Sequence, residues 1–416
     1  MARDTRWQEP KDENTKAGYG RFLRPKTPYE IFMEEQEIPI YRGIGVRRVQ
    51  DLPLKPWKRI GGNGTFIQLF GTEDLWGCYL VEVPGSGALE RERHVYEEIY
   101  LVVEGRGTTE VWVDENRKKI TFEWQRGSLF SIPLNAWHRI INATSSSALL
   151  LAGTTAPPIL NLIADPRFVF NCPYHFEDRF NLADDYYRYN DVVEPDPVRG
   201  LAMRRTNIIP DIINCNLPLD NRRSPGTRRI EPHMTGNKFY LFVEEHETGR
   251  YTKAHAHKSA AVLICLRGKG YTYTWPYTLG ITPWKDGIGG EVKRQDYEPV
   301  GMVSAAPMGG NWFHQHFGVS REPLRLTGWF GPVAPWSLFQ DLALQVAGPP
   351  TTRYRGNLAA QNRRTGEELI DFTGIDLKDG GSAIPYREED PFIRQEFEAA
   401  LRREGIASRM DESFFR

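Results

Sequence analysis

Two stretches of this 416-residue chain contain short runs of β-branched and aromatic residues separated by Gly, Pro, Asn or Asp. The first stretch includes TFIQLF, WGCYLVEVP, EEIYLVVEG, TTEVWVDE, KKITFEW and ALLLAGT, and the second includes KFYLFVEEH, AAVLICLRG, YTYTWPY and LRLTGWFGP. Runs of this length and composition are typical of strands in sandwiches and barrels. The pattern predicts a mainly β chain in which one β-module is followed by a second of the same plan.

The two strand series divide the chain into five segments. We predict an N-terminal arm over 1–59, a first module over 60–160, a connecting segment over 161–234, a second module over 235–338 and a C-terminal extension over 339–416. In the extension, Asp390 is a candidate N-cap, Pro391 occupies the first helical position and Gly405 marks an end. These signals predict a terminal amphipathic helix.

Composition excludes several classes of protein. A formal net charge of -1 provides no basic surface for nucleic acid. The N-terminus lacks an apolar signal region, and no apolar run reaches the length of about 18 residues that a membrane span needs. Four dispersed cysteines, Cys78, Cys172, Cys215 and Cys265, do not form a disulfide framework pattern and fit a reducing compartment. We therefore expect a soluble, cytoplasmic protein.

The second stretch contains two pairs of histidines. His255 and His257 lie in KAHAHKS, and His314 and His316 lie in NWFHQHFG. Because residues i and i+2 of a strand point to one face, each pair can direct both imidazoles to one point. Three neutral imidazoles that converge inside a barrel form a divalent-metal site. His255 and His257 would supply two ligands. Either His314 or His316 would supply the third, and the other would contact substrate or a ligand.

These spacings resemble two sequence motifs of the cupin superfamily, G-x5-HxH-x3/4-E-x6-G and G-x5-PxG-x2-H-x3-N. In the second stretch, five residues separate Gly249 from His255, which begins the HxH pair. The acid position, six residues before Gly268, holds Ala261 instead. The histidine of the second motif is His314, about two residues late, which favours it over its neighbour as the third ligand.

The first stretch resembles the same motifs with different departures. Glu92 stands at the leading histidine, His94 follows, and Glu98 lies at the acid position. His138 matches the histidine of the second motif. These residues could form a site with two histidines and two carboxylates for Fe, Mn or Zn, or a degenerate site that persists as a polar network. Glu97 beside Glu98 leaves the choice of acid open.

The resemblance implies two jelly-roll barrels in one chain and a metal-dependent activity on a small molecule. The chain resembles bicupin dioxygenases of the gentisate type, which use a three-histidine iron site to open hydroxylated aromatic rings. Those enzymes look to carry their complete HxH in the first module, whereas this chain has it in the second. With Ala261 at the acid position, three histidines leave the metal charge uncompensated. Such a centre suits an anionic chelating substrate together with dioxygen. We expect an Fe(II)-dependent ring-cleaving dioxygenase, with Mn, Ni, Zn or Cu as other metals.

Two other classes remain open. A bicupin isomerase, lyase or decarboxylase would use the metal without dioxygen, and a ligand-binding bicupin would have no activity. Arg267 is a candidate for binding a substrate carboxylate, and Trp275 and Trp312 are candidates for lining the cavity. The long arms at both ends indicate a homo-oligomer, because arms commonly cover the strand edges of neighbouring subunits.

Overall fold

The computed structural model describes residues 25–115, 118–195, 201–221, 224–234, 237–258, 261–307, 311–332, 375–379 and 381–416. Its helices are α1 Pro28–Glu35, α2 Ala156–Ile163, α3 Pro166–Asn171 and α4 Pro391–Arg403. Its strands are β1 Ile40–Gly43, β2 Gly45–Val46, β3 Lys55–Trp57, β4 Gly62–Leu69, β5 Gly77–Val83, β6 Glu98–Glu104, β7 Arg106–Trp112, β8 Ile120–Gln125, β9 Leu129–Ile132, β10 Trp137–Asn142, β11 Ala148–Thr154, β12 Glu194–Pro195, β13 Ala202–Arg205, β14 Ile208–Ile209, β15 Arg228–His233, β16 Tyr240–His246, β17 His255–Lys258, β18 Val262–Arg267, β19 Gly270–Pro276, β20 Lys293–Tyr297, β21 Met302–Ser304, β22 Asn311–Gly318 and β23 Leu324–Gly331.

Each module consists of a large sheet and a small sheet. In the first module the large sheet has the order β1-β4-β5-β11-β6-β9-β14, with β3 added to β4, and the small sheet has the order β10-β7-β8. In the second module the orders are β12-β13-β15-β16-β23-β18-β21-β2 and β17-β22-β19-β20. The central strands β5-β11-β6-β9 thus correspond to β16-β23-β18-β21. The predictions of a mainly β chain and of two jelly-roll modules are confirmed.

Alternation along the central strands divides the apolar residues between two cores. On β5 and β6, Tyr79 and Tyr100 face the interior of the first barrel, while Leu80 and Leu101 face the opposite side of the sheet. Those outward residues pack against the matching side of the second large sheet, in one cluster that includes Leu241, Val243, Ile264 and Trp329. The two barrels are therefore joined by sheet-on-sheet packing of their large sheets.

The N-terminal arm takes part in both modules. β1 pairs in parallel with β4 of the first module, and β2 pairs antiparallel with β21 of the second. A single residue, Ile44, separates β1 from β2. The connecting segment also pairs with both modules. Its strand β14 pairs with β9 of the first module, and its strand β15 pairs with β16 of the second.

The C-terminal extension covers the outer face of the small sheet in the second module. Helix α4 begins after Asp390, whose side chain accepts a hydrogen bond from the Phe392 amide, as the sequence predicted. Its apolar side packs on residues of β19 and β22, in a cluster that includes Tyr271, Phe317 and Phe397. Within the described part of the chain, no helix combines the length and the hydropathy that crossing a bilayer requires.

Candidate metal centres

Glu98 is the acid that faces the interior of the first barrel. It begins β6, and its carboxylate accepts hydrogen bonds from the hydroxyls of Tyr79 (2.8 Å) and Tyr100 (2.9 Å). The Glu98 side chain is only 1% exposed. A buried carboxylate of this kind requires such donors, because burial without them would be costly.

His94 lies against this carboxylate in an orientation fixed by the backbone. Its Nδ1 donates to the carbonyl oxygen of Tyr96 at 2.8 Å, and its ring stacks on the Tyr96 ring with centroids 3.7 Å apart. A carbonyl oxygen only accepts, so Nδ1 bears the proton. The other nitrogen, Nε2, lies 3.1 Å from Glu98 Oε2 inside the barrel.

His138 and Glu92 complete the group. The two residues form an antiparallel bridge between the strand β10 and the segment before β6. The Nε2 atom of His138 lies 3.9 Å from Glu92 Oε1 and 4.0 Å from Glu98 Oε2. This nitrogen is buried and has no hydrogen-bond partner, while Nδ1 faces the Ala136 carbonyl at 3.4 Å.

Burial and charge set the protonation of these groups in opposite directions. Burial alone would raise the pKa of Glu98, but the charge of His94 and the hydrogen bonds from His94 and Tyr79 outweigh it and lower that pKa to about 2. Burial would also lower the pKa of His94, and the nearby Glu98 carboxylate raises it instead. For His138, burial dominates and lowers the pKa. These shifts favour the ionised form of Glu98 and the neutral form of His138, and they make His94 easier to protonate than a free imidazole.

This arrangement fits a divalent metal. The donor atoms of Glu92, His94 and His138 lie within 4.8 Å of one another, and Glu98 contacts the same imidazole nitrogens. Both histidines have Nδ1 held by a backbone carbonyl and Nε2 directed inward, as metal-bound histidines do. Two imidazoles and two carboxylates suit Mn, Fe or Zn.

Glu97, the other candidate acid, points to the opposite side of β6. Its carboxylate accepts hydrogen bonds from the backbone amides of Lys238 (2.6 Å) and Phe239 (3.1 Å), where the second module begins. Arg179 of the connecting segment lies 3.4 Å from it. Glu97 thus joins the strand of Glu98 to the second module, and of the two acids it is Glu98 that lies beside His94.

The second module positions two of its predicted ligands in the same way. His255 lies directly opposite His314 in the pairing of β17 with β22, and their ring centroids are 4.2 Å apart. This pair matches the bridge between Glu92 and His138 in the first module. The Nδ1 atom of His314 lies 3.3 Å from the carbonyl oxygen of Trp312, two residues earlier, as in the first module. The His257 side chain lies outside the described residues.

His316 lies on the same face of β22 as His314, two residues along the strand. Its ring centroid is 5.5 Å from that of His314, and its Nδ1 lies 2.7 Å from the Thr272 hydroxyl. The His246 ring centroid lies 6.5 Å from that of His316, and His246 Nε2 contacts Glu244 Oε1 at 3.2 Å. This pair was not predicted from the sequence, although the polar residues that end the apolar run YLFVEEH are a signal for it.

The two modules differ around the acid position in a coordinated way. Counting back from Gly105 and Gly268, Ala261 replaces Glu98 and Leu263 replaces Tyr100. Strand registers likewise match Tyr79 with Phe242. The second barrel therefore lacks the acid and both of the phenols that would stabilise it.

Three predicted substrate contacts lie in different places. Trp312 is on the strand face of His314, because both occupy even positions of β22. Trp275 lies on the other face of β19 from Thr272, in the apolar cluster under α4. Arg267 ends β18 and pairs with Glu245 at 2.5 Å. The structure does not bring Trp275 or Arg267 together with the histidines.

Comparisons with known proteins found one matching family model and a set of similar solved structures. Residues 79–153 match the family model described as "Cupin domain". Among solved structures, a mutant of Bacillus subtilis oxalate decarboxylase OxdC is similar, with 11% identity, coverage of 73% of this chain and 80% of that chain, and a TM-score of 0.42. A structure titled "A Structural Element that Modulates Proton-Coupled Electron Transfer in Oxalate Decarboxylase" has 14% identity, the same coverage and a TM-score of 0.42. A search of curated protein sequences found no match. The match over residues 79–153 confirms the predicted resemblance to cupins.

Proposed function

We propose that this protein is a metal-dependent enzyme that acts on a small, anionic, chelating organic molecule in its first barrel. The observation that supports the proposal is the convergence of Glu92, His94, Glu98 and His138 on one buried point. All four are ligand types that Mn, Fe and Zn accept. A bound divalent ion would act as a Lewis acid that polarises a carbonyl or carboxylate group of the substrate.

The number of ligands favours a reaction that does not use dioxygen. Four protein ligands leave about two positions of an octahedral ion open, which a chelating substrate would fill. Chemistry of the isomerase, lyase or decarboxylase type therefore fits this centre better than ring cleavage with dioxygen. Burial raises the pKa of Tyr79 and of Tyr100, so both hydroxyls stay protonated and would hold Glu98 in place as hydrogen-bond donors during the reaction.

A ring-cleaving dioxygenase in the second barrel is the second candidate. The pairing of His255 with His314 favours it, since a site with histidine ligands alone leaves about three positions open for a chelating substrate and dioxygen. Fe(II) would be the metal of that centre, and His257 or His316 would supply the remaining ligand. A homo-oligomer also remains a proposal, although the described part of the N-terminal arm pairs with strands of its own chain.

Metal analysis of three variants tests both proposals. We expect His138→Ala to lose the metal of the first module and His255→Ala to lose that of the second, measured as metal per chain by mass spectrometry. His175→Ala is the matched control, because His175 lies in the connecting segment, outside both groups of histidines. Wild-type metal content in His138→Ala would contradict the proposal for the first barrel.

Activity assays then separate the two reaction classes. Oxygen uptake with hydroxylated aromatic acids would be lost in His255→Ala if the second barrel is a dioxygenase. Conversion of hydroxy or oxo acids without oxygen uptake, followed by NMR, would be lost in His138→Ala if the first barrel is the active centre. Oxygen uptake that depends on His138 and not on His255 would contradict the assignment of the two chemistries to the two barrels.

A further inference from the structure

Arg59 connects the N-terminal arm to the candidate centre of the first barrel. It lies two residues after the end of β3, and one of its Nη atoms donates to Glu92 Oε2. The other oxygen of the same carboxylate, Oε1, faces His138 Nε2. The Glu92 carboxylate therefore lies between the guanidinium of Arg59 and His138 Nε2. Arg59 is separated from the proposed metal position by this carboxylate alone.

Three aromatic rings hold the guanidinium in place. Its central carbon is 5.1 Å from the ring centroid of Phe170, 5.2 Å from that of Trp57 and 5.8 Å from that of Phe32. Contacts of this kind combine packing with attraction between the cation and the ring faces. The side chain of Arg59 is 23% exposed, so it is held but still reachable. Its position is fixed before any ligand arrives.

Most of the donors of Arg59 remain available. A guanidinium has five N–H groups. Among the described residues, the Arg59 side chain donates a hydrogen bond to Glu92. Its Nε is buried without a partner. A carboxylate matches the guanidinium fork in geometry and charge, so a substrate carboxylate beside Glu92 would satisfy donors that the protein leaves open.

The charges of the centre indicate the charge of the ligand. With a divalent ion, the two carboxylates of Glu92 and Glu98 cancel the charge of the metal, and Arg59 leaves one positive charge. A ligand with one negative charge would neutralise the site. A second negative charge would be uncompensated in a buried position, which is unfavourable.

Building on the function proposed above, we propose that Arg59 binds the carboxylate of the substrate and selects singly charged acids. Such an acid would bring a second oxygen, from a 2-hydroxy or 2-oxo group, to the metal. Arg59 is then a substrate-binding residue supplied by the arm, and the arm is part of the active site rather than a surface extension.

Binding of Mn(II) and glycolate to the full-length protein tests this inference. Glycolate is a singly charged 2-hydroxy acid, and glycolamide is its neutral analogue. In Arg59→Met, we expect the affinity of the Mn(II)-loaded protein for glycolate to fall at least about tenfold, as loss of a charge-assisted pair does. Glycolamide binding should change less than about twofold, as calorimetry would measure. Mn(II) affinity, measured without glycolate, should fall by a smaller factor than glycolate affinity, because Arg59 also pairs with the proposed ligand Glu92.

Three further variants complete the design. Arg59→Lys keeps the charge and should retain most of the glycolate affinity. Arg91→Met is the matched control, because Arg91 is exposed and pairs with Glu115. His138→Ala defines the glycolate binding that does not depend on the first barrel.

The outcomes distinguish the inference from the proposed function. If the wild-type protein binds none of Mn(II), Fe(II) and Zn(II), both are wrong. If Mn(II) binds and Arg59→Met binds glycolate as the wild type does, only the inference is wrong. An equal loss of Mn(II) and glycolate affinity in Arg59→Met would show that Arg59 merely positions Glu92, and would also overturn the inference.

Discussion

Glu389 gives the sharpest prediction about stability. This carboxyl precedes the cap of α4 and is 7% exposed. It accepts a hydrogen bond from the Tyr251 hydroxyl and another from Gln315 Nε2 at 3.3 Å. Burial, only partly offset by these hydrogen bonds, raises the pKa of Glu389 from 4.5 to about 8. The carboxyl is therefore neutral in the folded protein at neutral pH and ionised in the unfolded chain.

The sign and size of the effect follow from this difference in pKa. Between pH 4.5 and 8 the unfolded state releases a proton that the folded state keeps, so raising the pH favours unfolding. At about 1.4 kcal/mol per pKa unit, the loss of stability across this range is at most about 5 kcal/mol. Local opening of the extension would relieve the burial at lower cost, so about 2–4 kcal/mol is the expected range.

Urea unfolding of Glu389→Gln from pH 5 to 9 tests the prediction. The amide is neutral at every pH, so the variant should lose less stability with rising pH than the wild type and should be the more stable protein at pH 9. Glu388→Gln is the matched control, because Glu388 is 36% exposed beside Arg387. Parallel pH profiles of wild type and Glu389→Gln would refute the reasoning.

Three further predictions concern two residues at the junction of the modules and one buried thiol. Replacing Glu97 by Ala removes the acceptor of two backbone amides, of which that of Phe239 is buried, and should cost about 1–3 kcal/mol in urea unfolding. Mn(II) affinity should stay unchanged, whereas loss of Mn(II) binding would identify Glu97 as the ligand. A Cβ at Gly153 would lie 2.8 Å from a Trp329 ring carbon, so Gly153→Ala should lower the free energy of unfolding by about 1–3 kcal/mol. Wild-type stability of this variant would mean that the interface between the two large sheets is loosely packed. Burial raises the pKa of Cys265 to about 12, so this thiol should react with Ellman's reagent at pH 8 only after unfolding. Fast labelling of Cys265 in the native protein would contradict that burial.

The grouping of residues in the first barrel could be predicted from the sequence, because the spacing of Glu92 and His94 reflects the alternation of side chains along a strand. Glu92 and His94 lie two residues apart, and the antiparallel ladder places His138 opposite. The choice between Glu97 and Glu98 was not accessible, since adjacent residues of a strand face opposite sides and only the register of β6 decides which side is the interior.

Residues that reach a site from distant segments were harder to predict. Arg59 is 33 residues before Glu92 and belongs to the arm, where no motif applies. Trp275 was expected to line the cavity, yet the pairing of β19 with β22 places Thr272 beside His316 and therefore turns Trp275 to the other face. Both depend on long-range packing, which local patterns do not encode.

The passage of the arm from one sheet to the other across Ile44 affects how the protein can be made and divided. A ribosome releases β2, an edge strand of the last barrel, long before its partner β21 has been synthesised, so that edge closes only when the chain is nearly complete. Cutting between the barrels would leave β2 on the wrong fragment. The two halves, similar as they are in plan, are now a single unit of biosynthesis, and neither can be expected to mature alone.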